Sequence, residues 1–311
     1  MKMSVKLPSR RETTLVLLLS ALYLGLTAAF VGLRVEHVLL IVLYNALFFG
    51  SEFTRKLAVA LLPFAIFGAS YDWMRVYPNY EVNPIDVAGV YTLEKSWFGV
   101  TDGGLRVTLC EYFAQHHCAI VDFLAGIFYL CWVPVPIAFG VWLYFAKRRE
   151  VYLRFAIVFL FVNLIGFAGY YIHPAAPPWY VAQYGLEPIL NTPGSTAGLG
   201  RFDELVGMNI FGSIYTRNSN VFAAIPSLHS AYMLVTLYYA IVNRSDKWVI
   251  ALFSVILVGI WFTAIYSSHH YLIDVLLGIG CALSGILIFE KGIMKIPAFR
   301  RFFGTYLAYI E

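Results

Sequence analysis

The stretch Tyr266–Asp274, YSSHHYLID, sets two histidines and an aspartate inside a run that is otherwise mostly apolar. His270 and Asp274 are four residues apart, a spacing that puts them on one helix face within hydrogen-bonding reach. A carboxylate held there fixes the imidazole tautomer and strengthens the ring as a nucleophile. His269 is rotated one residue off that face. A second stretch, FAAIPSLHS (222–230), supplies His229, a hydroxyl at Ser227 and a proline, Pro226, suited to a helix start. Two histidines and a carboxylate suffice for metal-free group transfer. One histidine attacks phosphorus, and the other protonates the leaving alcohol and then deprotonates the incoming one. Zinc would need a third strong ligand, and His116, His117 and His173 lie in loops without ligand spacing. No metal and no cofactor are expected. A single histidine in such a run is often only a donor between helices. A carboxylate is costly there unless paired, and so points to function.

The elements that must carry these residues are membrane helices. Of 311 residues, 60% are hydrophobic and 13% charged, and the mean hydropathy is +0.72. Soluble domains carry about 25% charged residues. The fold class expected is all-α, a polytopic integral membrane protein with about eight transmembrane helices. The apolar segments are approximately 13–32, 36–50, 55–71, 121–146, 151–172, 227–243, 248–266 and 270–290, each near the length a bilayer core requires. The first follows Lys2, Lys6, Arg10 and Arg11 and reads as an anchor rather than a cleaved signal. On this reading 1–70 forms an N-terminal set of helices, 71–290 the catalytic membrane domain, and 291–311 a basic interfacial tail. There is no internal repeat and no nucleic-acid signature, and oligomeric state is not legible.

Charge sets the orientation. One set of connections holds sixteen Lys and Arg: the N-terminus, Arg55–Lys56, 147–154, Arg244 with Lys247, and the tail. The other set holds six. The richer set is expected in the cytoplasm. The long loops 72–120 and 173–226 then lie outside with the SSHH turn, and so do the starts of the helices bearing His229 and His270. Both loops are rich in Trp, Tyr and Pro, as in YDWMRVYPNY (71–80) and HPAAPPWY (173–180). They read as interfacial helices and turns. None of the four cysteines forms a CxxC pair. Cys110 and Cys118 share one loop, where they either pair or remain free thiols; Cys131 and Cys281 lie in apolar segments.

PSLH (226–229) and HHYLID (269–274), with about forty residues between their histidines, resemble the second and third motifs of the phosphatidic-acid phosphatase type 2 superfamily. The closer resemblance is to its inositol phosphorylceramide synthase branch. That branch also carries a PAAPPW-like outer loop, here 174–179, and a stretch similar to 110–139. The resemblance spans roughly 70–290. It implies His270 as nucleophile, Asp274 as its orienting carboxylate and His229 as acid/base. The superfamily has an arginine six residues before the nucleophile, where this chain has Ala264, and its Lys/Arg first motif is missing here too. The synthase branch shares both losses, so the cations for the phosphate are left open. Arg75, Lys95, Arg106, Arg201 and Arg217 are the outer candidates. Arg75 and Arg217 are favoured by their places after the third segment and nine residues before Pro226, with Ser227 and His269 as further phosphate-binding groups.

The function implied is transfer of phosphoinositol from a phospholipid donor, phosphatidylinositol, to a ceramide acceptor through a phospho-histidine. It would occur at the non-cytoplasmic face of a membrane, here read as a bacterial inner membrane. Two alternatives stand beside it: a lipid phosphate phosphatase with the same triad and water as acceptor, and a non-enzymatic transporter with His/Asp as a proton relay. Transporters often show internal repeats and broken helices, which this sequence does not display.

Overall fold

The computed structural model describes residues 7–215 and 220–311; Lys2, Lys6 and Arg217 lie outside them. The chain is mostly helical and divides into two compact units. One is Met1–Tyr77 with Ile293–Glu311, and the other is Pro78–Gly292.

The first unit contains α1 (Arg10–Phe30), α2 (Val35–Gly50), α3 (Glu52–Ala60), α4 (Leu62–Trp73) and the C-terminal helix Pro297–Ile310. Its starts follow capping chemistry. The Ser9 hydroxyl accepts the Glu12 amide while the Glu12 carboxylate accepts the Ser9 amide, satisfying two N–H groups that a helix start leaves open. Arg34 and His37 both reach the Asp72 carboxylate. Within this unit Tyr306 donates to the Val59 carbonyl and Tyr309 to Glu12.

The second unit opens with α5 (Ala88–Phe98). A two-stranded antiparallel ribbon follows, β1 (Val100–Asp102) with β2 (Leu105–Val107), and then α6 (Leu109–Gln115). The ribbon is an addition to the all-α expectation. Its turn is Gly103–Gly104, both at positive φ (55° and 84°), the backbone a tight hairpin requires and glycine adopts without strain. Next come α7 (Ala119–Leu130), α8 (Pro134–Phe145) and the long α9 (Arg149–Ile172). The loop 173–226 then carries α10 (Pro178–Tyr184), α11 (Gly200–Val206) and α12 (Ile210–Tyr215), followed by α13 (Leu228–Val242), α14 (Lys247–Tyr266) and α15 (Leu272–Leu287). α13 packs on α14 and α15, α9 backs both α13 and α15, and α7 lies on α14.

Among the described residues, four helices are long and apolar enough to cross a membrane, or up to six if two bent pairs each count as one span. Those pairs are α3 with α4, bent 47°, and α7 with α8, bent 41°. The sequence reads each as one straight segment. Prolines break them, Pro63 and Pro134 each entering the first turn of the following helix because proline cannot donate to the preceding turn. The remaining two segments appear as shorter apolar helices, α2 and α13.

Candidate active site

The site is built where α13 and α15 begin. His270 is not in α15: the helix starts at Leu272 with Tyr271 as its N-cap. The expected i, i+4 pair on a helix face is instead a capping arrangement. Asp274, third residue of the helix, turns its carboxylate back over the start. Its Oδ2 accepts the Tyr271 amide at 3.0 Å and lies 3.3 Å from His270 Nδ1. The turn is shaped by Ala264, whose carbonyl accepts the amides of both His269 and His270 at 3.0 and 2.9 Å. At the position where the phosphatase motif has an arginine, this chain uses backbone. Ser268 takes positive φ, 60°, to close the turn.

α13 brings the second histidine. Ser227 is its N-cap and Pro226 precedes that cap. The Ser227 amide donates to the Asp274 carbonyl at 3.0 Å, and Ser230 donates to the Ser227 and Val275 carbonyls. These bonds lock the two helix starts together. His229 Nδ1 then lies 3.0 Å from His270 Nε2. His229, His270 and Asp274 form one continuous chain of hydrogen-bond contacts. His270 and Asp274 are buried, and His229 is half-buried.

The tautomers follow from the acceptors. Asp274 Oδ2 already accepts an amide, so His270 Nδ1 is the donor to it. His270 Nε2 is then a lone pair, and the proton between the imidazoles sits on His229 Nδ1. His270 lies in the turn outside the spans, and burial pulls its imidazole down to about 3, so it is neutral at neutral pH. Aromatic rings hold the other partners. Tyr129 stacks on His229 with centroids 5.0 Å apart, and Trp132, at the α7–α8 bend, approaches it to 4.4 Å. His269 sits between Tyr129 and Tyr215, its Nδ1 bonded to the Ser267 hydroxyl at 2.9 Å. Among the described residues, its Nε2 and the Ser227 hydroxyl are buried without a hydrogen-bond partner.

Segments of the two long loops, 72–120 and 173–226, are bonded to one another and onto this turn. The 174–179 loop lies between two others: Ala175 N–H donates to the Phe222 carbonyl, Ala176 N–H to Asp86, and Trp179 N–H to Ser268 at 3.0 Å. Gly198 N–H donates to the Ser267 carbonyl at 2.9 Å. A Cβ at Gly198 would lie 2.8 Å from Ser267 Cα and 3.0 Å from both terminal nitrogens of Arg201, so glycine is needed for that approach. Arg201 Nε bonds Asp122 Oδ1 at 2.6 Å, and Tyr266 donates to the same oxygen.

Arg201 thus lies beside the turn. Arg75 belongs to the first unit, 3.6 Å from Asp72, and Arg217 is outside the described residues. Lys95 is bonded to Tyr91, and Arg106 to the carbonyls of Lys95 and Ser96. His116 bonds the Tyr112 carbonyl, His117 lies 3.4 Å from Asp122 and His173 3.2 Å from Asp86. Among the described residues no group of three or more His, Cys, Asp or Glu is placed to hold a metal. All four cysteines are free thiols, Cys110 buried and Cys118 exposed. Sequence reasoning passed over Asp122 and Glu94, each a lone carboxylate in an aromatic, apolar stretch.

This geometry has known relatives. Residues 104–288 match the profile of the PAP2 superfamily. The chain belongs to that superfamily. Within it, the phosphoinositol dihydroceramide synthase of Bacteroides thetaiotaomicron is 70% identical over 305 residues, 98% of this chain and all of the relative. The inositol phosphorylceramide synthase of Candida albicans is 33% identical over 141 residues, 44% of this chain and 28% of the fungal protein. The inositol phosphorylceramide synthase catalytic subunit of Saccharomyces cerevisiae is 34% identical over 120 residues, 38% of this chain and 29% of its own. No solved structure gives a significant match. The PAP2 superfamily match ends close to the end of α15 and takes in His229, His270, Asp274 and Arg201.

Proposed function

We propose that this protein is a membrane lipid phosphotransferase that moves phosphoinositol from phosphatidylinositol to ceramide or dihydroceramide. The observation that carries the reading is the His229–His270–Asp274 chain, in a superfamily member whose 70% identical relative is named for that product.

The chemistry follows from the tautomers. The His270 Nε2 lone pair attacks phosphorus. The bond to the diacylglycerol oxygen breaks, and His229, entering as an imidazolium, delivers one ring proton to that oxygen and is left a neutral imidazole. Asp274 stabilises the charge that His270 gains as the N–P bond forms. His229, now without that proton, takes one from the primary hydroxyl of the ceramide. The alkoxide oxygen attacks phosphorus, the N–P bond breaks, and its electron pair returns to Nε2. Phosphoryl transfer spreads charge over the non-bridging oxygens. Arg201 and the Ser227 hydroxyl are the groups we assign to those oxygens. The Ser267 hydroxyl gives its proton to the Thr263 carbonyl, so His269 Nδ1 donates to it and His269 Nε2 carries a lone pair that does not bind an anion. The bonded outer loops limit water, which at the second step would give hydrolysis.

We further propose eight membrane crossings in a bacterial inner membrane, with the site on the non-cytoplasmic side. In the second unit Lys147, Arg148, Arg149, Arg154, Arg244 and Lys247 gather where α8 and α13 end and α9 and α14 begin, opposite the SSHH turn.

The test is purified protein in lipid nanodiscs with labelled phosphatidylinositol, with and without dihydroceramide. Labelled phosphoinositol appearing on the sphingolipid with wild type, and not with His270→Ala, supports the reading. Inositol phosphate released at the same rate without the sphingolipid would make water the acceptor and the protein a lipid hydrolase, and inorganic phosphate released from a lipid phosphate monoester would make it a phosphatase.

A further inference from the structure

The N-terminus of α15 is the most exacting part of the site, because its first turn orients both His270 and Asp274. A helix start leaves its first amides without intrahelical partners. Here two carboxylates share them. Asp274 takes the Tyr271 amide. The other is Glu94, from α5, 178 residues from Leu272 in sequence. Its Oε1 accepts the Leu272 amide at 3.0 Å and its Oε2 the Ile273 amide at 3.1 Å. Glu94 is fully buried, at 0% exposure, while its neighbours Leu93 and Trp97 face outward.

A buried carboxylate is costly even when bonded, and a serine or threonine cap would close a helix more cheaply. What Glu94 adds is a division of labour. With Leu272 and Ile273 satisfied from outside, Asp274 has no second demand from its own helix. Its Oδ2 stays on His270 Nδ1. Among the described residues Asp274 Oδ1 has no hydrogen-bond partner, so without Glu94 the two open amides would draw the Asp274 carboxylate toward them and away from His270. The Cys110 thiol, donating to the His270 carbonyl at 3.4 Å, steadies the same turn from α6.

We propose that Glu94 is a positioning residue for phosphoinositol transfer, holding the first turn of α15 so that Asp274 remains committed to His270. This rests on the transferase reading above. Glu94 does not touch the reacting phosphorus; it acts through Asp274.

The experiment pairs two readouts on wild type, Glu94→Ala, Glu94→Gln and Glu94→Asp in nanodiscs. One is steady-state transfer from labelled phosphatidylinositol to dihydroceramide. The other is amide hydrogen exchange of peptides spanning 267–276, read against the unfolding midpoint. Glu94→Ala is expected to lower kcat about 30- to 100-fold, as a misplaced reacting group does. KM for both lipids should stay within about threefold, and exchange at 272–273 should quicken at least about tenfold, since those amides lose their partner. Glu94→Gln, which keeps one acceptor oxygen, is expected between wild type and Ala; if Ala does not fold, Gln carries the test. Unchanged kcat in Ala and Gln overturns the proposal, and so does faster exchange with kcat unmoved, which would make the contact merely structural. If wild type transfers nothing, the functional reading falls, and exchange alone decides whether Glu94 holds the turn. Unchanged exchange in Glu94→Ala would then sink it.

Discussion

At the scale of residues, the arrangement makes each catalytic group answerable separately. His270→Ala removes the proposed nucleophile and is expected to cut transfer at least about 10³-fold; Asp274→Asn keeps the shape but unsettles the tautomer and should cost about 10²–10⁴. Two in-line displacements at one phosphorus give net retention. A donor made chiral with sulfur and an oxygen isotope should therefore yield product of retained configuration, and inversion would exclude the phospho-histidine. Acid has a separate effect on stability. Burial pulls His270 to about 3, against about 6.5 for a free imidazole. The unfolded chain therefore takes up the proton first, and the His270 contribution is whole above about pH 6.5 and shrinks as pH falls toward 3. The unfolding midpoint in detergent should drop between pH 7 and 4.5, with a shallower slope in His270→Asn. An equal slope would mean that this imidazole is not the group responsible.

At the scale of elements, the 3.0 Å approach of the two imidazoles depends on how closely α13 and α15 touch. Gly278 on α15 allows it. A Cβ there would lie 2.0 Å from the Ser227 carbonyl oxygen and 2.2 Å from Ser230 Oγ, so something must move. Gly278→Ala is expected to cost about 1–3 kcal/mol of stability as an overpacked contact. By spreading the helix starts it should also lower kcat about 10²-fold. Thermal unfolding and the transfer assay on the same sample check both; full activity would show that the helices tolerate the separation. The α7–α8 bend has a comparable role. A straight helix through 119–145 would not turn at Trp132, and the bend sets that indole against His229.

At the scale of the whole molecule, the question is which side of the bilayer the site faces. Cys118 is an exposed free thiol just before α7, on the same loop system as the site. In spheroplasts a membrane-impermeant maleimide should label wild type and not Cys118→Ser. In inside-out vesicles Cys118 should be protected. The reverse pattern would place the histidines in the cytoplasm and turn the charge argument over.

The sequence by itself pointed to phosphoinositol transfer and to the residues proposed to carry it. Apolar lengths marked the helices, and PSLH with HHYLID marked His229, His270 and Asp274, because chemistry-bearing residues stand out against hydrocarbon. Local backbone rules already hinted at more: Gly103–Gly104 is a hairpin signal, and Pro63 and Pro134 break their helices. Only the tertiary structure decided the rest. Where α15 begins, and hence that Asp274 reaches His270 as a cap rather than along a helix face, depends on acceptors supplied by Ala264 and Glu94. That Arg201 is the cation beside the turn depends on Gly198 lying against Ser267. The Gly198 and Glu94 contacts join residues about 70 and 178 positions apart. No period or motif encodes them, since they arise from which buried amides and carboxylates remain to be paired once the helices have packed.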